Sequence, residues 1–311
     1  MIQGLVVKST GSWYNVRTAE AEIIECRIKG NFRIKGLKST NPIAVGDKVQ
    51  FEIEKDNDSE AAKRGVIFKI EPRKNYIVRK SINLSRQTHI LAANIDRAYL
   101  IVTIANPKTS LGFIDRFLVT AETYSIPVTI VFNKMDTYNA DELLEVENRT
   151  ALYTKIGYTC ISMSSLQEID LAQLRMALID KINLLSGHSG VGKSTLINGL
   201  DHNLNLKTGI VSNAHQKGKH TTTFAEMHEL KTGGFIIDTP GIKEIGIVDI
   251  EANELWSYFP EIRSLVNQCK FDNCRHLNEP GCKVKEAVEN GHIAASRYAS
   301  YLSIFLGENH Q

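Results

Sequence analysis

The sequence predicts a multidomain fold in three parts: an N-terminal β-barrel over residues 1–75, a central α/β domain over 76–245, and a mainly helical tail over 246–311. Three observations predict it. Apolar and polar residues alternate with period two through residues 1–75, as half-buried strands require. From about residue 98, near-continuous apolar runs alternate with helical stretches, the pattern of a parallel sheet covered on both faces. Near the C-terminus, three of the five cysteines and one histidine fall within fourteen residues.

A chain of 311 residues, 42% hydrophobic and 23% charged, has the composition of an ordinary globular protein with room for two or three cores. The sequence holds no run of eighteen apolar residues. Met1-Ile2-Gln3-Gly4 also lacks the basic-then-apolar layout of a signal peptide, so a cytoplasmic protein without a membrane partner is expected. Five unevenly spaced cysteines in a reducing compartment argue against a disulfide scaffold. The net charge of +2 is spread unequally. Residues 1–80 hold sixteen Lys/Arg against ten Asp/Glu, a balance of +6, and the remainder holds twenty-one against twenty-five, a balance of −4. The N-terminal quarter is therefore the part suited to a polyanion.

Five short runs fill that quarter: Leu5–Lys8, Trp13–Val16, Glu22–Ile28, Asp47–Ile53 and Gly65–Ile70. Turn residues separate them at Thr10-Gly11-Ser12, Asn41-Pro42 and Val45-Gly46-Asp47. Five strands in about seventy residues predict an OB-fold, whose open face commonly binds RNA or single strands. Arg27 to Lys38 sets five basic residues around Phe32, either an RNA-contacting hairpin or a solvated one with Phe32 in the core.

In the centre, a polar connector from Arg79 to Gln87 precedes strands at 98–105, 126–132 and 158–161, with helices at 111–124, 141–156 and 169–178. Leu184-Leu185 then ends a strand, and Gly187-His188-Ser189-Gly190-Val191-Gly192-Lys193-Ser194 follows, with Thr195 continuing into a helix. G-x-x-x-x-G-K-S between strand and helix is a phosphate-binding loop. Its glycines turn backbone N–H groups inward at a helix N-terminus, where partial positive charge already sits. Lys193 is placed to reach the β- and γ-phosphates, and the Ser194 hydroxyl to ligate Mg²⁺.

Asn133-Lys134-Met135-Asp136 reads N-K-x-D after a buried strand. The Asp136 carboxylate can accept two hydrogen bonds from the N1–H and amino group of guanine, a pair that adenine does not offer. Lys134 can lie along the base, Asn133 can tie this loop to the phosphate loop, and the Ser162-Met163-Ser164 run suits a backbone-mediated base contact. Asp238-Thr239-Pro240-Gly241 reads D-x-x-G, with Asp238 holding Mg²⁺ through water and the Gly241 N–H meeting the γ-phosphate. The run Gly218-Lys219-His220-Thr221-Thr222-Thr223 offers a hydroxyl to complete the Mg²⁺ shell. Thr222 is favoured, although its two neighbours fit as well.

N-K-M-D precedes the phosphate loop, and D-T-P-G follows it. Small GTPases usually run phosphate loop, switch threonine, D-x-x-G, N-K-x-D, so this order is a circular permutation, which a doubly wound sheet tolerates when the relocated ends lie at the surface. The γ-phosphate sensor then leads straight into the tail. Ile242 stands where many GTPases carry a water-orienting glutamine and cannot do that work. His220 is the nearest replacement.

Cys269-(x4)-Cys274-x-His276-(x5)-Cys282 supplies four ligands suited to one tetrahedral Zn²⁺ with no open position, hence a structural ion. A helix from Arg297 to Phe305 follows. Cys26 and Cys160 read as buried strand residues.

Taken together, the chain resembles the ribosome small-subunit-dependent GTPases (the RsgA family). The resemblance covers essentially the full length and rests on several features. These are the barrel-like start with Val45-Gly46-Asp47-Lys48-Val49, the stretch Leu91-Ala92-Ala93-Asn94-Ile95-Asp96, the permuted order, G-H-S-G-V-G-K-S-T, G-K-H-T-T-T, D-T-P-G and the Cys/His tail. It implies a late small-subunit maturation factor, binding GTP or GDP with Mg²⁺ and hydrolysing GTP under stimulation by the subunit. It also implies a barrel and zinc domain that grip ribosomal RNA, and a monomer is expected. Two rivals are a metabolic phosphate-loop kinase, for which no acceptor-substrate constellation is present, and an RNA-binding scaffold that uses GTP only as a ligand.

Overall fold

The computed structural model describes residues 1–29, 42–54, 63–80, 88–204, 226–238 and 250–307. The first five strands are β1 (Ile2–Ser9), β2 (Tyr14–Thr18), β3 (Ile23–Ile28), β4 (Lys48–Ile53) and β5 (Arg64–Ile70). They pair in the order β1-β2-β3-β5-β4, and β4 returns to β1, closing the barrel. All pairs are antiparallel except β3–β5. The alternation read from the sequence is what fills it. Tyr14, Val16, Ile24, Cys26, Val49, Phe51 and Ile67 are buried inside, while their strand neighbours are exposed or half-buried. Of the basic stretch, residues 30–41 with Phe32 lie outside the described residues, and Arg27 pairs with Glu54.

Of the expected polar connector at Arg79–Gln87, Arg79 and Lys80 belong instead to a strand. Strands β6 (Tyr76–Lys80) and β7 (Thr88–Ala93) form an antiparallel hairpin around residues 81–87, which lie outside the described residues. The polar ends of both strands, Arg79-Lys80 and Thr88-His89, conceal the pairing from a hydrophobicity reading. The Val45-Gly46-Asp47 stretch joins this hairpin to the barrel. Ala93 N–H donates to the Val45 carbonyl at 2.8 Å, and Asn94 Nδ2 donates to the Gly46 carbonyl at 2.9 Å. The buried Asp47 carboxylate receives Arg73 Nε at 2.6 Å and the Ala44 N–H at 2.8 Å.

The central sheet contains β8 (Arg97–Val102), β9 (Val128–Phe132), β10 (Thr159–Ser162), β11 (Ile182–Ser186), β12 (Glu226–Glu229) and β13 (Phe235–Asp238), ordered β10-β9-β8-β11-β13-β12. Only β12 runs antiparallel. Its helices are α1 (Leu111–Thr123), α2 (Ala140–Ile156), α3 (Glu168–Leu178) and α4 (Lys193–Leu200). Alternate strand residues feed two cores. Ala98, Leu100, Val102, Ile130 and Phe132 pack with Phe117 of α1 and Tyr153 of α2. Tyr99, Ile101, Val131 and Leu185 pack with Leu171 of α3 and Leu196 of α4. This is the doubly wound arrangement, and each buried large apolar side chain contributes about 1.5–3 kcal/mol. Helix starts are set locally. Ser110 caps α1 by accepting the Phe113 N–H, and Asn139 and Glu142 form a reciprocal capping box on α2.

Strand β12 is absent from the sequence expectation, because Glu226-Met227-His228-Glu229 is short and polar. It bridges the two sheets. Lys8 on β1 lies opposite Glu226, with Lys8 Nζ 3.1 Å from the Glu226 carboxylate, and Arg17 donates twice to Glu229 at 2.6 and 2.7 Å. One eleven-stranded sheet therefore runs from the barrel into the α/β domain.

The tail adds α5 (Pro260–Arg263), α6 (Lys283–Glu289) and α7 (Ala295–Phe305) around Leu255, Phe259, Ile262, Val284 and Tyr301, with Val119 of α1 in the same core. Arg297 on α7 is 1% exposed and Asp115 on α1 is 0% exposed. Arg297 Nη1 donates to Asp115 Oδ1 at 2.7 Å, and Arg297 Nε donates to Glu261 at 2.6 Å. The Tyr153 and Ser300 hydroxyls also donate to Asp115. Burial pushes the Asp115 carboxyl up, and these donors pull it back.

Candidate nucleotide site and metal centre

The parallel strands β8, β9 and β11 bring their carboxyl ends together, and both sequence motifs sit there. Gly187, Gly190 and Gly192 adopt φ of +148°, +84° and +96°. Side chains are excluded at the ends of the loop. A Cβ on Gly187 would fall 2.3 Å from the Ile101 carbonyl oxygen, and one on Gly192 would fall 2.5 Å from Asn133 Nδ2. Val191 is buried, Ser189 is exposed, and Ser194 and Thr195 are half-buried in the first turn of α4. The Lys193 ammonium lies over the loop and donates to the Gly187 and His188 carbonyls at 2.6 and 2.9 Å. The His188 ring rests on Phe113 of α1 with ring centres 3.6 Å apart. Glycine conformations, a helix N-terminus and an ammonium at the loop suit it to an anion.

Asn133, 1% exposed, is the junction. Its Nδ2 donates to the Val191 carbonyl at 2.8 Å, and its Oδ1 accepts the Ser165 N–H at 3.0 Å and the Ser165 hydroxyl at 2.8 Å. One side chain thus fixes the N-K-x-D turn against both the phosphate loop and the serine loop, the first of which the sequence anticipates. Lys134 has φ +68°, and its Nζ donates to the Asn106 carbonyl at 2.7 Å. Asp136 is exposed and accepts the Ser164 hydroxyl. Ser162, named from sequence in one run with Ser164, closes β10 opposite Phe132 and lies exposed. Ser164 bonds Asp136 and Ser165 bonds Asn133. Only proximity in space distinguishes them, because adjacent serines look alike in a chain. The segment from Ile104 to Thr109, whose first two residues the sequence places at the end of the strand at 98–105 although β8 stops at Val102, flanks the loop, and a Cβ on Gly190 would fall 3.3 Å from Pro107 Cδ.

Met135 packs beside the first core. The Asp238 backbone ends β13, in register with Leu185 of the phosphate-loop strand. Gly241 and Ile242, and His220 with Thr221, Thr222 and Thr223, lie outside the described residues.

The second centre is in the tail. Cys269, Cys274, His276 and Cys282 each present a ligand atom, all within 4.8 Å of one another. His276 Nδ1 faces the Cys269 and Cys282 sulfurs at 3.7 and 3.5 Å. His276 is fully buried with φ +59°, its carbonyl held by the Tyr298 hydroxyl at 2.6 Å. Burial pushes the Cys274 thiol up to about 12 and the His276 imidazole down, so a cation is needed to favour thiolates here. None of the five cysteines is in a disulfide, and this cluster is compatible with a metal ion. Cys26 is buried as expected, and Cys160 is half-buried.

The sequence profile of RsgA GTPases matches residues 70–248, more than half of the chain, and that of the RsgA N-terminal domain matches residues 3–60. The chain belongs to the RsgA GTPase family. It is 52% identical over 307 residues to the small ribosomal subunit biogenesis GTPase RsgA of Christiangramia forsetii, covering 99% of this chain and 96% of that protein. It is also 52% identical over 303 residues to the RsgA of Bacteroides fragilis, covering 97% and 96%. Among solved structures it is similar to YjeQ from Thermotoga maritima, with TM-score 0.79 and 36% identity over 99% of this chain and 98% of that one. It is likewise similar to YloQ, described as a circularly permuted GTPase, with TM-score 0.75 and 30% identity over 99% and 95%. The two profiles cover the barrel and the central domain, and the Cys/His tail lies beyond both. Among the described residues, no helix is long and apolar enough to cross a membrane.

Proposed function

We propose that this RsgA-family protein is a cytoplasmic, monomeric GTPase of late small ribosomal subunit assembly. In this reading it hydrolyses GTP to GDP and phosphate under stimulation by the subunit. The observation that carries the reading is the Asn133 junction, which joins a triphosphate cradle to a guanine-type motif. Relatives named for small-subunit biogenesis match the chain from end to end, which supplies the partner. The working units are residues 1–75, 76–245 and 246–311. The barrel and the tail contact ribosomal RNA, and the central unit turns over nucleotide.

The residue roles follow from chemistry. Residues 187–195 wrap the phosphates, with Lys193 leaving its two carbonyls to neutralise the β- and γ-oxygens. Asp136 accepts the guanine N1–H and amino group, held in place by Ser164. Ser194, Thr222 and Asp238 would hold Mg²⁺, which when bound supplies charge neutralisation across the β- and γ-phosphates. The Gly241 N–H meets the γ-phosphate, and His220 orients the attacking water. Cys269, Cys274, His276 and Cys282 hold one structural Zn²⁺, for which three sulfurs and one imidazole nitrogen are a suitable donor set.

GTP turnover measured with and without purified small subunits tests the proposal. At least tenfold stimulation is expected. Unstimulated binding without turnover would make the protein an RNA-binding scaffold, and turnover coupled to a phosphorylated metabolite would make it a kinase. For the water-orienting role, His220→Ala is expected to leave GTP affinity within about twofold and to lower the hydrolysis rate roughly tenfold or more. Wild-type turnover in that variant removes His220 from the mechanism.

A further inference from the structure

We infer that Tyr138 is a positioning residue for base recognition, acting through the backbone of the N-K-x-D turn. This inference rests on the guanine-site reading above. Tyr138 lies just beyond the motif, half-buried against the first core. Its hydroxyl donates to the Asn133 carbonyl at 2.7 Å and accepts the Ile104 N–H at 3.0 Å. The phenol therefore reaches back across the turn that carries Lys134 and Asp136 and catches the carbonyl at its start. The turn is closed a second time by Thr137, whose N–H and hydroxyl both donate to the Lys134 carbonyl at 2.9 Å.

The other bond matters as much. Ile104 begins the segment whose Asn106 carbonyl receives the Lys134 ammonium at 2.7 Å. That segment is itself pinned, because the Thr103 N–H donates to Thr109 Oγ1 at 3.2 Å and the Thr109 N–H donates to the Thr103 carbonyl at 2.9 Å. The Tyr138 side chain thus bonds both walls, the motif backbone and the segment holding its lysine. It sets their separation, and with it the directions in which Lys134 and Asp136 project. Asn133 holds the turn to the phosphate loop, whereas Tyr138 holds it to the lysine's acceptor. The two jobs are distinct.

Tyr138→Phe keeps the ring in the core and removes only the hydroxyl, so it tests the inference directly. Affinities for GTP, GDP and inosine triphosphate, which lacks the 2-amino group, are measured by fluorescence titration together with the melting temperature and kcat. Tyr158→Phe, which removes a buried hydroxyl far from the motif, serves as the control. The expected result is a loss of roughly tenfold in both GTP and GDP affinity, a smaller ratio of GTP to inosine triphosphate affinity, and kcat unchanged. Tyr158→Phe is expected to leave both affinities and the ratio at wild-type values. A Tyr138→Phe variant with a lowered melting temperature but wild-type affinities and ratio would reduce the residue to a structural role and overturn the inference. Wild-type protein that fails to prefer GTP over inosine triphosphate or ATP would overturn the guanine reading itself, and the inference with it.

Discussion

Arg297→Ala is expected to destabilise the protein by about 3–5 kcal/mol, measured by urea denaturation. The size follows from what the substitution leaves behind. Asp115 stays 0% exposed with only the Tyr153 and Ser300 hydroxyls as donors, and Glu261, its side chain 11% exposed, loses a bidentate partner. The guanidinium also stacks over Phe259 at 4.7 Å, so packing is lost along with charge. The ion pair itself is not where the energy lies, because desolvating two charges offsets most of their attraction. Removing both charges with Arg297→Met and Asp115→Asn is therefore expected to recover the greater part of the loss. A single-variant cost below about 1 kcal/mol would show that water reaches Asp115 and that the α1–α7 contact is not tightly packed.

Stripping the proposed zinc from the tail is expected to be the larger perturbation. Structural zinc in small domains contributes on the order of 10–16 kcal/mol of apparent folding free energy. The tail core is small, and three of the four ligands are buried within it. Chelation of the purified protein is expected to abolish the near-ultraviolet circular dichroism of Tyr298 and Tyr301, which pack against each other and hold the carbonyls of His276 and Arg275. Elemental analysis should give one zinc per chain, and Cys269→Ser should reduce it. A chelated protein with an unchanged spectrum would mean that the apolar core holds the tail by itself.

The parts of this molecule that could be read from the chain are those in which one residue type has one physical use. Alternation in β1 to β5 had to make a barrel, because each strand offers one apolar face. G-x-x-x-x-G-K-S had to make a loop, because Gly187 and Gly192 occupy backbone space that no other residue can share. The Cys/His spacing had few other uses. What stayed hidden depends on three-dimensional neighbours. Strand β12 is three polar residues around one buried methionine, Met227, and reads as a strand only because β13 and β1 flank it. Ser165 differs from Ser162 and Ser164 only in what it meets. Tyr138 and Asn106 carry no motif of their own, since a phenol and a backbone carbonyl become informative only when the groups they bond are known. Arg297 and Asp115 are 182 residues apart, and as isolated charges they read as surface.

The join between β1 and β12 also has a consequence for the order in which the protein is made. β1 is made before its barrel partners, and the barrel can close once β5 is complete at Ile70. Its contact at Lys8 waits for Glu226, 218 residues later. At about 5–20 residues per second that wait lasts roughly ten to forty seconds, during which part of β1 is an open strand edge on a nascent chain. Open edges recruit other strands, and lysine is among the residues that discourage this. Over that interval Lys8 keeps its charge on the open edge without Glu226, and Arg17 on the neighbouring strand β2 lacks Glu229. The lysine that later fastens the finished sheet guards its unfinished edge.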